Sequence, residues 1–138
     1  METKIIRQLV TFKASPHDVY EMLMDSKKHA AFTGDDAEID RKVGGRFSVW
    51  GGYIDGTNLE LVPDRKIVQS WRGSDWPEGH YSQVVFDLKE KDGVTTLNFE
   101  QTGVPEEFYE DIAQGWHDYY WQPMQDMLKN PKKIKGKM

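Results

Sequence analysis

Three side chains that can act as acids or bases lie close together in the segment WRGSDWPEGHYS, residues 71–82. Asp75, Glu78 and His80 are of the types that general acid–base catalysis uses. Acids on an exposed loop are weak candidates unless burial or a neighbouring charge shifts the pKa of one of them. The glycines and the proline of this segment favour a turn between two strands. We therefore interpret the three residues as solvent-facing or turn-forming groups.

Other constellations for catalysis or metal binding are missing from the sequence. The chain has no cysteine, and its four histidines form none of the ligand-spaced pairs that zinc sites use. It also lacks a GxSxG nucleophile motif, a GxxxxGK[ST] phosphate loop and a GxGxxG dinucleotide motif. The acidic residues between Asp35 and Asp40 lack the glycine turn of a calcium loop, so we expect a solvated strand edge. The sequence predicts no catalytic residue, no metal and no cofactor, and hence no enzyme.

Length and charge restrict the class of protein further. A chain of 138 residues has about the size of one domain, and its net charge of -5 argues against general nucleic-acid binding. No stretch approaches the roughly 18 apolar residues of a membrane span, and the N-terminus lacks the apolar run of a signal peptide. Together with the absence of cysteine, these features predict a cytoplasmic protein. We expect one domain over residues 1–130 and a flexible basic tail over residues 131–138.

Hydrophobic periodicity predicts the elements that position these residues. In residues 3–13, Ile6, Val10 and Phe12 share one face of a strand, and we expect that face to point to the core. Two short helices follow, capped at Ser15 and Ser26. The sequence then predicts six strands up to residue 101, nearly all joined by short turns. Strands with such short connections pair antiparallel, so we expect one sheet of seven antiparallel strands.

The last predicted element is a long amphipathic helix from Pro105 to Leu128. Its apolar face consists of side chains at helical spacing, namely Phe108, Ile112, Trp116, Tyr119, Tyr120, Met124 and Met127. Pro123 removes the backbone bond to Tyr119, and we expect an interruption with a kink there. Only this helix is long enough to cover the apolar face of the sheet, which makes the fold α+β.

Aromatic residues on the helix and the sheet suggest two further kinds of site. A sheet curled around one helix can leave a gap that holds a small hydrophobic ligand. The residues predicted to line such a cavity are Trp50, Trp71, Phe86, Phe99, Ile112, Trp116, Tyr119 and Tyr120. The simpler alternative is that these side chains fill the core.

A surface for a partner is the second kind of site. Trp76 follows a turn beside Pro77, and Trp121 lies off the apolar stripe of the helix. Exposed aromatic side chains often mark an interaction surface. The residues predicted for partner contact are Trp76, Glu78, His80 and Trp121.

Seven segments carry a resemblance to a known family, in the order SPHDVYEML, HAAFTGDDAEID, VGGRFSVWGGYIDG, LVPDRKIVQSWR, DWPEGHYSQVVFDL, DGVTTLNFEQTGVPEE and GWHDYYWQPM. Together they resemble the C-terminal domain of the activator of heat-shock-protein-90 ATPase, the Aha-type co-chaperone. The resemblance runs over about residues 3–128. The WPEGH segment and the GWxxYY segment are its most specific parts.

The resemblance implies the helix-grip fold of the START-like superfamily, also known as Bet v-like or SRPBCC. In that fold a curved, seven-stranded antiparallel sheet grips a long C-terminal helix, and two short helices follow the first strand. The resemblance also implies a co-chaperone-like interaction domain that binds the heat-shock-protein-90 chaperone and activates its ATPase. The family has no catalytic residues to carry over. Carriage of a small hydrophobic ligand between the sheet and the helix is the alternative.

Overall fold

A computed structural model describes residues 1–129, so the predicted tail at residues 131–138 lies outside the described residues. The seven strands are β1 (Thr3–Phe12), β2 (Ala37–Ile39), β3 (Arg46–Val49), β4 (Ile54–Val62), β5 (Lys66–Gly73), β6 (Ser82–Lys91) and β7 (Val94–Pro105). They form one antiparallel sheet in the order β1-β7-β6-β5-β4-β3-β2. The predicted α+β architecture with its seven-stranded antiparallel sheet is confirmed.

The alternating apolar residues of the strands build the core, as the sequence predicts. On β1, Ile6, Val10 and Phe12 are buried, while Leu9 between them is exposed. Phe86 of β6 pairs directly with Phe99 of β7, and their ring centroids lie 5.3 Å apart. Cross-strand aromatic pairs of this kind stabilise a sheet and fix its register. The face of the sheet that carries these side chains is therefore the face that the helices must cover.

Two short helices, α1 (Pro16–Met24) and α2 (Ser26–Thr33), follow β1. The Ser15 hydroxyl oxygen accepts a 3.1 Å hydrogen bond from the Asp18 N–H, which is the predicted cap of α1. The predicted cap of α2 at Ser26 is wrong, because Asp25 accepts from the Lys28 N–H at 3.0 Å. Ser26 instead accepts from the Ile39 N–H at 2.9 Å, and this bond ties α2 to β2.

The C-terminal helix is composite. It begins with a 3-10 turn at Glu106–Phe108 and continues as α3 (Tyr109–Trp116), a π-helical turn (His117–Trp121) and α4 (Gln122–Lys129). The N–H of Gln122 donates to the carbonyl of His117, five residues earlier, which is the bond of a π helix. The interruption predicted near Pro123 thus takes the form of a wider turn immediately before the proline.

The helix packs across the sheet through its aromatic side chains. The ring centroids of Trp116 and Phe99 lie 4.4 Å apart, and Gln125 donates to the Thr11 carbonyl at 2.9 Å. These contacts confirm that the C-terminal helix covers the apolar face of the sheet. The described part of the chain contains no helix with both the length and the apolar character that crossing a membrane requires.

Candidate functional site

The loop between β5 and β6 gives Asp75, Glu78 and His80 separate surroundings. The Asp75 carboxylate accepts a 2.7 Å hydrogen bond from the Tyr53 hydroxyl. The Nε2 atom of His80 lies 2.7 Å from the Gly103 carbonyl oxygen, and it carries the proton because a carbonyl only accepts. Glu78 is exposed. The geometry supports the interpretation of these residues as turn-forming and solvent-facing groups.

Trp76 belongs to the core, so its expected exposure is wrong. The side chain is only 3% exposed, and its ring centroid lies 5.5 Å from that of Trp71 and 6.1 Å from that of Phe108. The guanidinium of Arg72 donates to the Trp76 carbonyl at 2.8 Å and holds the loop folded back on the sheet. Of the residues predicted for partner contact in this loop, Glu78 is exposed and His80 is half-buried.

The π turn changes which helix residues face the sheet. Trp116, Tyr120, Trp121 and Met124 are buried, at spacings of four, five and eight residues from the first of them. The spacing of five does not occur on one face of a regular helix, whose buried residues fall at spacings of three, four, seven and eight. The π turn therefore accommodates one additional residue after Trp116. Tyr119 is 58% exposed and is that additional residue.

Trp121 illustrates the consequence of the π turn. The sequence predicts it on the surface, but it is 2% exposed, so that expectation is wrong as well. Its Nε1–H donates to the Gln8 side-chain oxygen at 2.6 Å, and its ring stacks on Trp116 at 5.4 Å and 19°. The indole thus fastens the helix to β1.

The inner part of the gap between the sheet and the helix is almost completely filled. The space beside Gln69, His29 and Phe86 has a volume of about 20 Å³, enough for one water molecule. Phe86 and Phe99 are 3% and 2% exposed and pack within the aromatic core. Among the described residues, this inner space is too small for the hydrophobic ligand that the sequence suggested.

An open cleft of about 520 Å³ lies beside this filled core, and we refer to it as the aromatic cleft. Six of the eight residues predicted to line a cavity line it instead, namely Trp50, Trp71, Ile112, Trp116, Tyr119 and Tyr120. The sequence analysis missed five further lining residues, namely Asp35, Tyr53, Ile54, Asp111 and Gly115. The spacing of Asp111, Gly115 and Tyr119 along one helix could have revealed part of this wall.

One wall of the cleft is a turn in an unusual conformation. Trp50 directly follows β3, begins the 3-10 turn Trp50–Gly52 and has a φ of 58°. This left-handed conformation is uncommon for a bulky residue. The Trp50 indole N–H donates to the Tyr120 hydroxyl at 3.2 Å, and its ring meets that of Tyr119 edge to face at 5.5 Å. The turn and the helix thus form one continuous aromatic surface.

Two tyrosines of the cleft, Tyr53 and Tyr120, are neutral over a wide pH range. Burial, assisted by the hydrogen bond to Asp75 and by the charges of Asp75 and Asp111, raises the pKa of Tyr53 to about 12. Burial also raises the pKa of Tyr120 far above its ordinary value, although the Trp50 hydrogen bond opposes the shift. Neither phenol ionises near neutral pH, so the charges at the cleft are those of its carboxylates.

A buried hydrogen-bond chain, which the sequence analysis did not identify, supports the cleft from below. The indole N–H of Trp116 donates to the Gln101 side-chain oxygen at 2.8 Å. Gln101 donates to the Ser82 hydroxyl at 2.9 Å, and Ser82 donates to the Trp71 carbonyl at 2.8 Å. Gln101 continues the inward-facing series of β7 after Leu97 and Phe99, and a polar residue at such a position is the signal that could have revealed the chain.

His29 is a buried, uncharged residue of the core. Its side chain is 3% exposed, and its ring lies 4.9 Å from that of Phe32 and 5.3 Å from that of Tyr120. Burial lowers the pKa of His29 to about 4, so the imidazole is neutral at physiological pH. Its Nδ1 atom has no hydrogen-bond partner among residues 1–129.

Comparison with known protein families gives a consistent result. The model of the family described as "Activator of Hsp90 ATPase homolog 1-like protein" matches residues 13–129. The activator of 90 kDa heat shock protein ATPase homolog of Dictyostelium discoideum is 39% identical over 116 residues, which are 83% of this chain and 30% of the relative. The homolog 1 of Homo sapiens is 35% identical over 112 residues, which are 81% of this chain and 33% of the relative. The chain thus spans about a third of the length of these curated relatives.

Solved structures share the fold over nearly the whole chain. An HSP90 activator from Plasmodium falciparum superposes with a TM-score of 0.85 and is 25% identical, covering 91% of this chain and 96% of that chain. The Aha1 dimer from Colwellia psychrerythraea has a TM-score of 0.78 at 21% identity, covering 94% of this chain and 98% of that chain. The second likeness shows the fold alone.

Proposed function

The chain belongs to the Activator of Hsp90 ATPase homolog 1-like protein family, and on this premise we propose that it binds the Hsp90 chaperone and stimulates its ATPase. The observation that carries the proposal is the family match over residues 13–129. The likeness to a structure described as an HSP90 activator from Plasmodium falciparum also supports the proposal. A cytoplasmic location, which the sequence predicts, is part of the same proposal.

We infer that the chain acts by binding and does not itself catalyse a reaction. Asp75 and His80 are each engaged with a different partner, and both charged residues of the aromatic cleft, Asp35 and Asp111, are exposed acids. General acid–base catalysis needs a pair of titratable groups with shifted pKa values near one reacting atom. The filled gap beneath the helix also argues against carriage of a hydrophobic ligand there.

The aromatic cleft is an apolar area of the surface that suits a partner. Tyr119 and Tyr53 are 58% and 39% exposed at the aromatic cleft. Exposed apolar groups bordered by polar residues are typical of interaction sites. About two thirds of the length of the curated relatives lies outside the match. From the matched domain by itself we expect micromolar binding, because a gain in effective concentration requires a second linked module.

Isothermal titration calorimetry tests the proposal. The purified chain is titrated into the Hsp90 chaperone from the same organism, and an unrelated chaperone serves as the control. We expect saturable binding to the Hsp90 chaperone and no binding to the control chaperone. An absence of binding with the chaperone at tens of micromolar would contradict the proposal.

A further inference from the structure

The aromatic cleft has a wall that is held in a fixed and strained shape. Trp50 keeps a φ of 58°, which is costly for a bulky residue. Its hydrogen bond to Tyr120 and its edge-to-face contact with Tyr119 hold the indole against the helix. Backbone strain of this kind persists only where the surrounding structure holds it, and strained residues concentrate at binding and active sites. The wall of the cleft is thus preorganised for an occupant.

The depth of the cleft depends on Gly115. Glycine is less favourable than alanine inside a helix. A Cβ atom added at Gly115 would lie 3.6 Å from the Tyr119 ring, an ordinary contact distance, so a side chain is sterically acceptable there. Gly115 therefore stabilises the helix less than alanine would, and it lies at the point where a larger side chain would fill the cleft.

The charges at the cleft have one sign. Asp35 and Asp111 are the charged residues among its lining, and both are exposed. Asp75 adds a third carboxylate behind Tyr53, whose hydroxyl donates to it. Complementary charges accelerate association and fix register, whereas like charges repel the wrong partner. The potential at the cleft thus favours a cationic occupant.

The openness of the cleft favours a segment of a larger partner over a free small molecule. Sites for small molecules enclose about 70–90% of the ligand surface. The aromatic cleft is open on one side, so an occupant would keep part of its surface in solvent. A peptide segment fits this geometry, because it can insert one anchor side chain and leave its backbone outside.

We propose that the aromatic cleft docks a partner segment in which one apolar side chain is flanked by lysine or arginine. The apolar side chain packs on Trp71 and Trp116 beside Gly115, and the cations face Asp35 and Asp111. This inference rests on the proposed function, since the chaperone is the partner that supplies the segment.

Filling the cleft is the first test. Gly115→Met places a side chain in the cleft, and Gln114→Met is the control because Gln114 is the exposed neighbour on the same helix. Calorimetry with the Hsp90 chaperone should show binding weakened by about tenfold or more for Gly115→Met. Gln114→Met should bind within about twofold of the unaltered chain. Thermal unfolding establishes that each variant is folded.

Removing charge is the second test, and it does not depend on a bulky substitution. The pair Asp35→Asn and Asp111→Asn is compared with the pair Glu110→Gln and Asp126→Asn, which changes the net charge equally at exposed positions outside the cleft lining. The first pair should weaken binding several-fold and reduce its dependence on salt. The second pair should leave both quantities nearly unchanged.

Photo-crosslinking identifies the occupant directly. A photoreactive phenylalanine analogue at Tyr119, followed by mass spectrometry of the crosslinked chaperone, should yield a basic segment with an apolar residue. A crosslinked acidic segment would overturn the inference, and so would equal affinities of the cleft variants and their controls. In either case, binding of the unaltered chain to the chaperone would leave the proposed function intact. If the unaltered chain does not bind at all, both proposals fail together.

Discussion

Trp76 packs between Trp71 and Phe108, so its indole belongs to the aromatic core. Replacing a fully buried aromatic residue with alanine removes its contacts and leaves a cavity. We expect Trp76→Ala to lower the free energy of unfolding by about 3–5 kcal/mol. Urea denaturation measures this loss, with Tyr119→Ala as the control. Because Tyr119 is 58% exposed, its replacement should cost less than about 1 kcal/mol. Equal effects of the two substitutions would contradict the assigned positions.

His29 makes stability depend on pH in a defined window. In the unfolded chain its imidazole is protonated below the ordinary pKa of 6.5, whereas burial lowers the pKa in the folded state to about 4. Between these values the unfolded state binds the additional proton, so the free energy of unfolding falls as the pH decreases. The full contribution is about 3 kcal/mol.

The variant His29→Phe removes this contribution. We expect a flatter dependence of the free energy of unfolding on pH between 4 and 6.5 than in the unaltered chain. Denaturant titrations at several pH values measure the slope, and His117→Gln, at an exposed position on the C-terminal helix, is the control. An unchanged slope in His29→Phe would show that His29 is not the group responsible.

The C-terminal helix depends on its π turn to satisfy two requirements together. The turn displaces Tyr119 outward, so that Trp116, Tyr120 and Trp121 all face the sheet. It also provides a wider helix immediately before Pro123, whose ring would clash with a carbonyl in a regular helix. The exposed tyrosine and the proline are thus linked features of one element.

Deletion of Tyr119 tests this link. Without it, the buried residues fall at the regular spacings of three, four and seven, but Pro123 then lies within a continuous α helix. We expect the deletion alone to lower the free energy of unfolding by about 3 kcal/mol. Deletion combined with Pro123→Ala should recover most of that loss, and Pro123→Ala alone is the control. A combined variant as unstable as the simple deletion would rule out this role of the π turn.

At the scale of the whole molecule, the parts of the fold that the sequence predicts are those fixed by local pattern. The alternation along β1 predicts which face is buried, since the side-chain period of a strand is two. The position of Trp76 was missed because its burial depends on Phe108, which is distant in the sequence. Trp121 was missed because one additional residue in the π turn shifts the phase of the stripe. The first error arises from a tertiary contact and the second from irregular helix geometry, and regular local periodicity contains neither.

The aromatic cleft was predicted only in part for the same reason. Residues of the helix, such as Ile112 and Trp116, were identified because they share one helical face. Asp35 and Tyr53 reach the cleft from other elements, and only the folded sheet brings them beside the helix. The site is therefore a product of the complete fold, and a change that loosens the sheet around the helix should also weaken partner binding.

The central claim, that the domain activates the Hsp90 chaperone, is tested most directly by the ATPase rate of that chaperone. The chaperone from the same organism is assayed with increasing concentrations of the chain, and the rate that remains with an inhibitor of the chaperone is subtracted. We expect ATP turnover to rise and saturate, and Gly115→Met to require a higher concentration for the same effect. An unchanged turnover with the unaltered chain at tens of micromolar would contradict the claim.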